Sequence, residues 1–163
     1  MHIIDSHFHW WPRSVFETLL KRKSYPRTER DGKDGYNYLR GDNADYILNT
    51  WPAWFDLDEQ LAHMDSLGHD IDVIGSIGPF SVVFSELPTE EGRDLAYQWN
   101  EDMAGDMRSH PGRVWTSAAV PLQDVDVALE VLNHAVLELG LIGANLPGSI
   151  GEDPRIDADR LEP

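Results

Sequence analysis

The alternation of apolar and polar positions along the chain predicts four short strands separated by helices. Apolar runs of strand length occur at residues 2–6, 71–77, 114–120 and 141–146. Between these runs, apolar residues recur every three or four positions, the spacing of a helix with one buried face. The three helical stripes are Leu57, Leu61, Met64 and Leu67, then Leu95, Trp99, Met103 and Met107, then Ala128, Leu129, Leu132, Ala135, Val136 and Leu139.

Residues typical of helix ends flank these stripes. Gly68 and Gly140 follow the first and third stripes, and glycine is common just past the end of a helix. The motif His110-Pro111-Gly112 ends the second stripe. Thr89 and Asp124 precede the second and third helices, where their side-chain oxygens are predicted to cap free backbone N–H groups.

Strands that alternate with helices of this length predict βαβ units and a parallel sheet. We therefore expect an α/β fold in a single domain over residues 1–163. Residues 10–55 interrupt the alternation and are rich in Trp, Tyr, Arg, Asp and Gly. This stretch is predicted to be a long irregular insertion after strand 1, of the kind that often serves function.

The end of the first strand carries residues that bind metals. Asp5, His7 and His9 stand at alternate positions, so a regular strand would project all three from one face. Side chains on one face lie roughly 7 Å apart, close enough for two imidazoles to converge on one ion. His7 and His9 are therefore predicted metal ligands, while Asp5 either supports a histidine or caps the strand end.

Composition narrows the class of protein. The chain has no cysteine, which excludes disulfides and thiolate metal ligands. Its formal net charge of −16 argues against nucleic acid as a partner, because phosphate binding needs a basic surface. No apolar run approaches membrane-spanning length, and no signal peptide is evident, so we expect a cytoplasmic protein without a membrane partner.

Four stretches together resemble a known family. They are Asp5-Ser6-His7-Phe8-His9, then His63-Met64-Asp65-Ser66-Leu67-Gly68 with Asp72-Val73, then Asn100 with His110-Pro111-Gly112-Arg113-Val114 and Ala119-Val120-Pro121-Leu122, and Glu138-Leu139-Gly140-Leu141-Ile142-Gly143-Ala144-Asn145-Leu146. In this order they resemble the N-terminal half of the amidohydrolase superfamily. The similar branch is the amidohydrolase-related one that contains aminocarboxymuconate-semialdehyde decarboxylase.

The resemblance implies a (β/α)₈ TIM barrel, which takes about 250 residues. The 163 residues are therefore expected to form its N-terminal half, about four β/α units, with the C-terminal half absent. The family's other metal ligands and its acid–base histidine would lie beyond Pro163. The chain alone is thus expected to be an inactive fragment whose apolar strand edges need the missing half or another copy, as in a homo-oligomer, to cover them.

For the complete protein, the resemblance implies a divalent metal, zinc in the first instance. It also implies a decarboxylase-like carbon–carbon lyase acting on a small unsaturated or aromatic carboxylic acid. The alternatives are a metal-dependent hydrolase of a small cyclic ester or amide, a non-catalytic half-barrel that needs a partner, and an α/β interaction domain whose histidine pair is accidental.

Several side chains are candidates for contact with the small carboxylate substrate. Aromatic side chains provide apolar walls, and arginines bind carboxylates. The substrate-binding candidates are Trp10, Trp51, Trp54, Ser76 and Phe80, with Trp11, Phe84, Asn145, Arg13, Arg27 and Arg40 as further possibilities. Structural or surface roles are predicted for His2, His63, His69, His110 and His134.

Overall fold

Two three-stranded sheets form the framework of the computed structural model, which describes residues 2–41, 46–68 and 70–147. The first sheet is parallel with the order β1-β5-β6, and the second is antiparallel with the order β2-β3-β4. The strands are β1 (His2–Phe8), β2 (Arg27–Asp31), β3 (Gly35–Leu39), β4 (Tyr46–Asn49), β5 (Asp70–Gly75) and β6 (Val114–Thr116).

Helices cover one face of the parallel sheet. They are α1 (Arg13–Leu20), α2 (Leu57–Ser66), α3 (Val83–Glu86), α4 (Thr89–Ser109) and α5 (Val125–Asn133), which continues as a π-helical turn over His134–Glu138. Two 3₁₀ turns lie at Pro52–Phe55 and Gly78–Val82. In the described ranges, no helix has the length and apolar character needed to cross a membrane. The predicted α/β class and the parallel sheet are confirmed.

The last two predicted strands are shorter than expected. Pairing of β6 ends at Thr116, whereas the apolar pattern continued to residue 120. Beyond it, Ala118 pairs in parallel with Ala144 through one isolated bridge. The Ala118 N–H donates to Gly143 O at 2.7 Å, and the Asn145 N–H donates to Ala118 O at 3.1 Å. The segment predicted as strand 4 thus lies beside β6 with the expected direction, but without a regular ladder.

The prediction that residues 10–55 are irregular is wrong. Helix α1 buries Val15, Phe16 and Leu19, and the antiparallel sheet buries Tyr36 and Tyr38. The sequence Gly-Tyr-Asn-Tyr-Leu of β3 has the apolar alternation of a strand, but five residues with two tyrosines give a weak signal. The ordering comes from tertiary packing, because the tyrosines bury their rings against α1 and its neighbours.

Helix ends follow the predictions in part. The side chain of Asp124 accepts from the Val127 N–H and caps α5 as predicted, and Gly68 ends α2 with a φ of 72°. Thr89, however, is the first residue of α4 and not its cap, since Pro88 holds that position without a side-chain hydrogen bond. Two residues of the predicted stripes, Leu67 and Leu129, are exposed.

Stacked aromatic rings fill the core between α1 and α4. The Phe80 ring lies 4.6 Å from the Phe16 ring and 5.8 Å from the Trp99 ring, measured between centroids. All three side chains are buried, and each contributes about 1.5–3 kcal/mol of transfer free energy. This core fixes α1 and α4 against the loops that follow β1 and β5.

Candidate functional site

A bulge in β1 sets the direction of the two candidate metal ligands. Asp5 pairs with Val73 and Phe8 pairs with Gly75, so three residues of β1 match two of β5. The extra residue reverses the alternation of side chains. His7 and His9 therefore lie on the face opposite to Asp5, and the prediction that the three share a face is wrong. The Asp5 carboxylate instead accepts from the His7 N–H at 3.1 Å, a structural role at the strand end.

His7 and His9 lie side by side at the carboxyl end of β1. Their ring centroids are 4.8 Å apart, and the rings meet edge to face. His9 is half-buried and donates from Nδ1 to the carbonyl oxygen of Ser76 at 2.7 Å. Because Nδ1 carries the proton in this contact, Nε2 is left as the lone-pair nitrogen, the arrangement found in metal-binding histidines.

Gly78 makes room for the His9 ring. A Cβ atom built at this glycine would stand 2.5 Å from His9 Cε1, far inside van der Waals contact. The residue also has a φ of 59°, a region that side chains other than glycine rarely occupy. The Gly78 N–H donates to Ser76 Oγ at 3.3 Å, which ties the turn to the residue that orients His9.

Ser76 connects three segments at this edge of the sheet. Its carbonyl holds His9, and its Oγ accepts from the Gly78 N–H and from Asn145 Nδ2 at 3.2 Å. Asn145, whose direction the sequence left open, therefore points to the end of β5. Gly78 was missed by the sequence reasoning, although a Gly-Pro pair directly after a strand was a signal of a constrained turn.

Two tryptophans line one side of the His9 ring. Trp11 and Trp54 lie 5.9 and 6.3 Å from it and 4.6 Å from each other, measured between ring centroids. Trp11 is buried and Trp54 is half-buried. An aromatic wall thus stands beside the candidate metal ligands.

The remaining substrate-binding candidates lie further from His9 or in the core. Phe80 is buried among other rings, and Trp51 is 66% exposed. Trp10 is buried against the helix-covered face, where its Nε1–H donates to Asp106 Oδ2 at 2.8 Å. Of the five substrate-binding candidates, Ser76 and Trp54 lie against the His9 ring, and the role of the set in substrate binding stays a prediction.

The three candidate arginines have partners within the chain. Arg13 donates to the Asp34 carbonyl at 3.2 Å and lies over the Phe55 ring at 4.7 Å. Arg27 pairs with Glu29, and Arg40 pairs with Glu86. A role for any of them in binding a substrate carboxylate stays a prediction.

The other histidines have varied surroundings. His63 is exposed, as predicted, whereas His134 is partly buried and contacts Glu101 and Glu138 at 3.2 Å each. His110 follows the last turn of α4 and contacts Asp58 at 2.9 Å. His2 contacts two aspartates at the other end of β1. His69 lies outside the described residues.

A separate groove of about 530 Å³ opens between α2 and α4. Carboxylates dominate its polar lining, and Trp10 and Phe55 are among its apolar walls. Burial raises the pKa of the Asp106 carboxyl in this groove, against the opposing effect of the hydrogen bond from Trp10. Neither His7 nor His9 lines this groove, but Trp11, which lies beside the His9 ring, also forms part of the groove wall.

Sequence comparison gives a curated relative but no matching family model. No protein-family model matches the chain. A gamma-resorcylate decarboxylase of Rhodococcus jostii (strain RHA1) is 30% identical over 115 residues, which are 66% of this chain and 34% of the relative. The chain therefore spans about a third of the length of this curated relative.

Solved structures match nearly the whole chain. A 2,6-dihydroxybenzoate decarboxylase bound to 2,6-dihydroxybenzoate matches with a TM-score of 0.66 and 22% identity, over 97% of this chain and 44% of that one. A dihydroxybenzoic acid decarboxylase from Polaromonas sp. JS666 has bound manganese and the inhibitor 2-nitroresorcinol. It matches with a TM-score of 0.60 and 22% identity, over 98% of this chain and 43% of that one. Other neighbours of the same fold include an amidohydrolase II protein.

The resemblance to the amidohydrolase superfamily is confirmed. At these identities the structural matches establish the fold, and their shares of 43% and 44% fit a partial barrel of the amidohydrolase type. Two of these neighbours are decarboxylases of dihydroxybenzoic acids, and one of the two has bound manganese. A divalent metal and a small aromatic carboxylate are thus the ligands associated with this fold among the matched proteins.

Proposed function

We propose that this chain is the N-terminal half of a (β/α)₈ barrel decarboxylase, a metal-dependent carbon–carbon lyase that acts on a small aromatic carboxylic acid. The observation that carries the proposal is the His7–His9 pair, with His9 oriented by the Ser76 carbonyl, at the carboxyl end of a parallel strand. Enzymes with parallel barrels keep their chemistry at this edge. The fold matches those of aromatic-acid decarboxylases.

The surroundings of the histidines fit a divalent ion. Two imidazoles are suitable ligands for zinc, and the absence of cysteine from the chain leaves nitrogen and oxygen donors. Manganese would rely more on oxygen ligands from the rest of the protein. His7 and His9 would hold the ion, together with ligands from the rest of the complete protein. The His9 ring occupies the space that a Cβ atom at Gly78 would fill, and this close packing fits a metal ligand that must keep one orientation. We expect zinc, and manganese is the alternative that the Polaromonas structure supports.

When bound, the ion would supply positive charge that polarises a substrate oxygen or lowers the pKa of a bound water. This chain's own residues bind and orient. The Ser76 carbonyl keeps the Nδ1 proton of His9 in place, and Asn145 and the Gly78 N–H hold the Ser76 side chain. Trp11 and Trp54 exclude water from one side of His9. Trp11 is buried and Trp54 is half-buried, so the exposed part of Trp54 is the surface on which an aromatic ring would stack.

The test uses the complete gene product, because the residues that finish the barrel are expected beyond Pro163. Metal content is measured on the purified protein, and carbon dioxide release is measured with dihydroxybenzoates. We expect about one divalent ion per chain and a loss of activity of at least about 100-fold in His7→Ala and in His9→Ala, because both would remove metal ligands. His63→Ala removes an exposed histidine and is the matched control.

Full activity after exhaustive chelation would overturn the proposal, as would undiminished carbon dioxide release in either histidine variant. We expect the 163-residue chain alone to be inactive, and turnover by that chain would contradict its assignment as half of an enzyme.

A metal-dependent hydrolase is the second candidate, because the structural neighbours include an amidohydrolase II protein. Small cyclic esters and amides are the substrates to assay with the same complete protein. Hydrolysis that depends on His7 and His9, without carbon dioxide release, would favour this candidate. A metal-free protein without either activity would favour a non-catalytic half-barrel that needs a partner.

A further inference from the structure

A second cluster of metal-binding side chains lies at the opposite end of β1 from His7 and His9. His2 Nδ1 lies 3.1 Å from Asp70 Oδ2, and His2 Nε2 lies 3.1 Å from Asp72 Oδ2. One ligand atom from each of the three residues can be chosen so that all lie within 4.8 Å of one another. The cluster thus offers one imidazole nitrogen and two carboxylate oxygens.

The backbone of the parallel sheet fixes these three positions. His2 is the register partner of Asp70, and Ile4 is the register partner of Asp72. Paired positions and positions two apart point to the same face of a sheet. The three side chains therefore converge because of strand pairing, and they do not depend on a loop.

Asp72 gives the cluster its buried anchor. Its side chain is 11% exposed, whereas those of His2 and Asp70 are 54% and 77% exposed. A carboxylate removed from water needs a charged or hydrogen-bonding partner. Among the described residues, His2 is the side chain that contacts it.

The distances suit a small divalent ion after a slight adjustment. Zinc binds nitrogen and carboxylate oxygen at about 2.0–2.2 Å, which places neighbouring ligand atoms roughly 3–3.6 Å apart. Asp70 lies at Nδ1 of His2 and Asp72 at Nε2, so binding of one ion by all three requires the exposed side chains of His2 and Asp70 to rotate while the buried Asp72 stays in place. Two carboxylates also leave the cluster negatively charged when His2 is neutral, and this favours a cation.

We propose that His2, Asp70 and Asp72 form a second divalent-cation site that binds zinc and joins the amino ends of β1 and β5. One ring nitrogen of His2 binds the ion and the other keeps its proton. The site is independent of the His7–His9 pair, because roughly five residues of strand at about 3.3 Å each separate the two. Its role is to fasten the amino end of β1 to the amino end of β5.

Zinc alone is the probe. The full chain, without a histidine tag, is made as the His7→Ala/His9→Ala double variant so that the other predicted ligands are absent. Titration calorimetry measures zinc binding, and thermal unfolding is recorded with and without zinc. We expect the double variant to bind about one zinc ion and its melting temperature to rise on zinc addition.

Adding His2→Ala or Asp72→Asn to the double variant should weaken zinc binding at least about tenfold and remove the rise in melting temperature. His63→Ala, added in the same way, is the control for loss of an exposed histidine. Asp70→Asn is the milder variant to use if Asp72→Asn fails to fold, since Asp70 is the more exposed. Absence of zinc binding by the double variant, or equal zinc binding after His2→Ala, would overturn the proposal.

Discussion

At the scale of single residues, a bulge and a glycine determine the geometry of the candidate metal ligands. The His-x-His pattern at a strand end is visible in the chain, so the sequence alone was enough to propose His7 and His9 as metal ligands. Their role in metal binding stays a prediction. The sequence did not reveal that Asp5 lies on the other face. A regular strand was assumed, whereas two residues of β1, Ser6 and His7, lie opposite the single residue Ile74 of β5. One inserted residue in a strand leaves no mark on its apolar pattern when the flanking residues are polar.

Replacing Gly78 by alanine tests the contact with His9. The added Cβ would stand 2.5 Å from His9 Cε1, so the imidazole must move away from its hydrogen bond to Ser76. The positive φ adds strain of about 1–3 kcal/mol. We expect lower stability and a several-fold loss of metal affinity, measured by urea unfolding and by metal titration of the complete protein.

Gly112→Ala is the matched control for this strain. Gly112 also has a positive φ, 77°, but nothing lies within 4 Å of the position of its Cβ. The control should lose stability without loss of metal affinity. Equal metal affinity in the two variants would show that the contact with His9 is unimportant.

Asp106 should make stability depend on pH. Burial raises the folded-state pKa of its carboxyl above the ordinary 3.8. The folded state then holds this proton more tightly than the unfolded state, so this contribution to stability falls as pH rises from about 3.8 through the folded-state pKa. Asp106→Asn removes that contribution while its amide oxygen still accepts from Trp10.

We therefore expect Asp106→Asn to become more stable relative to the parent chain as pH rises through this window, in unfolding experiments at a series of pH values. Glu90→Gln, at the other end of the same helix, is the control for loss of one exposed carboxylate. A constant difference between Asp106→Asn and the parent at all pH values would contradict the effect of burial.

At the scale of elements, Asn100 joins α4 to the segment that follows β6. Its side chain is fully buried, and it donates to Ala119 O at 3.0 Å and accepts from the Ala119 N–H at 2.7 Å. Asn100→Ala would leave both backbone groups of Ala119 without a partner in the core. Each buried group left unpaired costs about 1–3 kcal/mol, so we expect a loss of about 2–5 kcal/mol in urea unfolding.

Asn133→Ala is the comparison, because Asn133 is an exposed asparagine at the end of α5. It should change the unfolding free energy by less than about 0.5 kcal/mol. A similarly small change in Asn100→Ala would show that the backbone groups of Ala119 find other partners. The two hydrogen bonds from Asn100 would then not be needed for stability.

Elements in which the apolar pattern repeats over many residues were predictable from the sequence. Short elements that are stabilised by tertiary contacts were not. Helix α4 extends over 21 residues, and its apolar stripe includes Leu95, Trp99 and Met103, so the helical spacing was visible in the sequence. Helix α1 has eight residues, and β3 has five. Such short elements give few periods to count, and the core around Phe16 and Tyr36 stabilises them.

At the scale of the whole molecule, the helices cover one face of the parallel sheet and leave apolar residues of the sheet region in water. The Ile4 side chain is 58% exposed and shares its face with Asp72, its register partner. Ile142 is 52% exposed, whereas its neighbour Leu141 is buried with Ala104 and Ala135. Apolar side chains beside the parallel sheet are therefore exposed in the described part of the chain.

The 163-residue chain produced alone should bind an apolar dye such as anilinonaphthalene sulfonate in its folded state. We expect Ile4→Ser combined with Ile142→Ser to lower the dye fluorescence markedly, because these two side chains expose apolar area on the sheet. Leu137→Ser is the control, since Leu137 is 78% exposed on a helical turn away from the sheet. If the control lowered the fluorescence as much as the double variant, the dye would be reporting general surface apolarity. A selective loss in the double variant would instead locate the dye-binding surface at the parallel sheet.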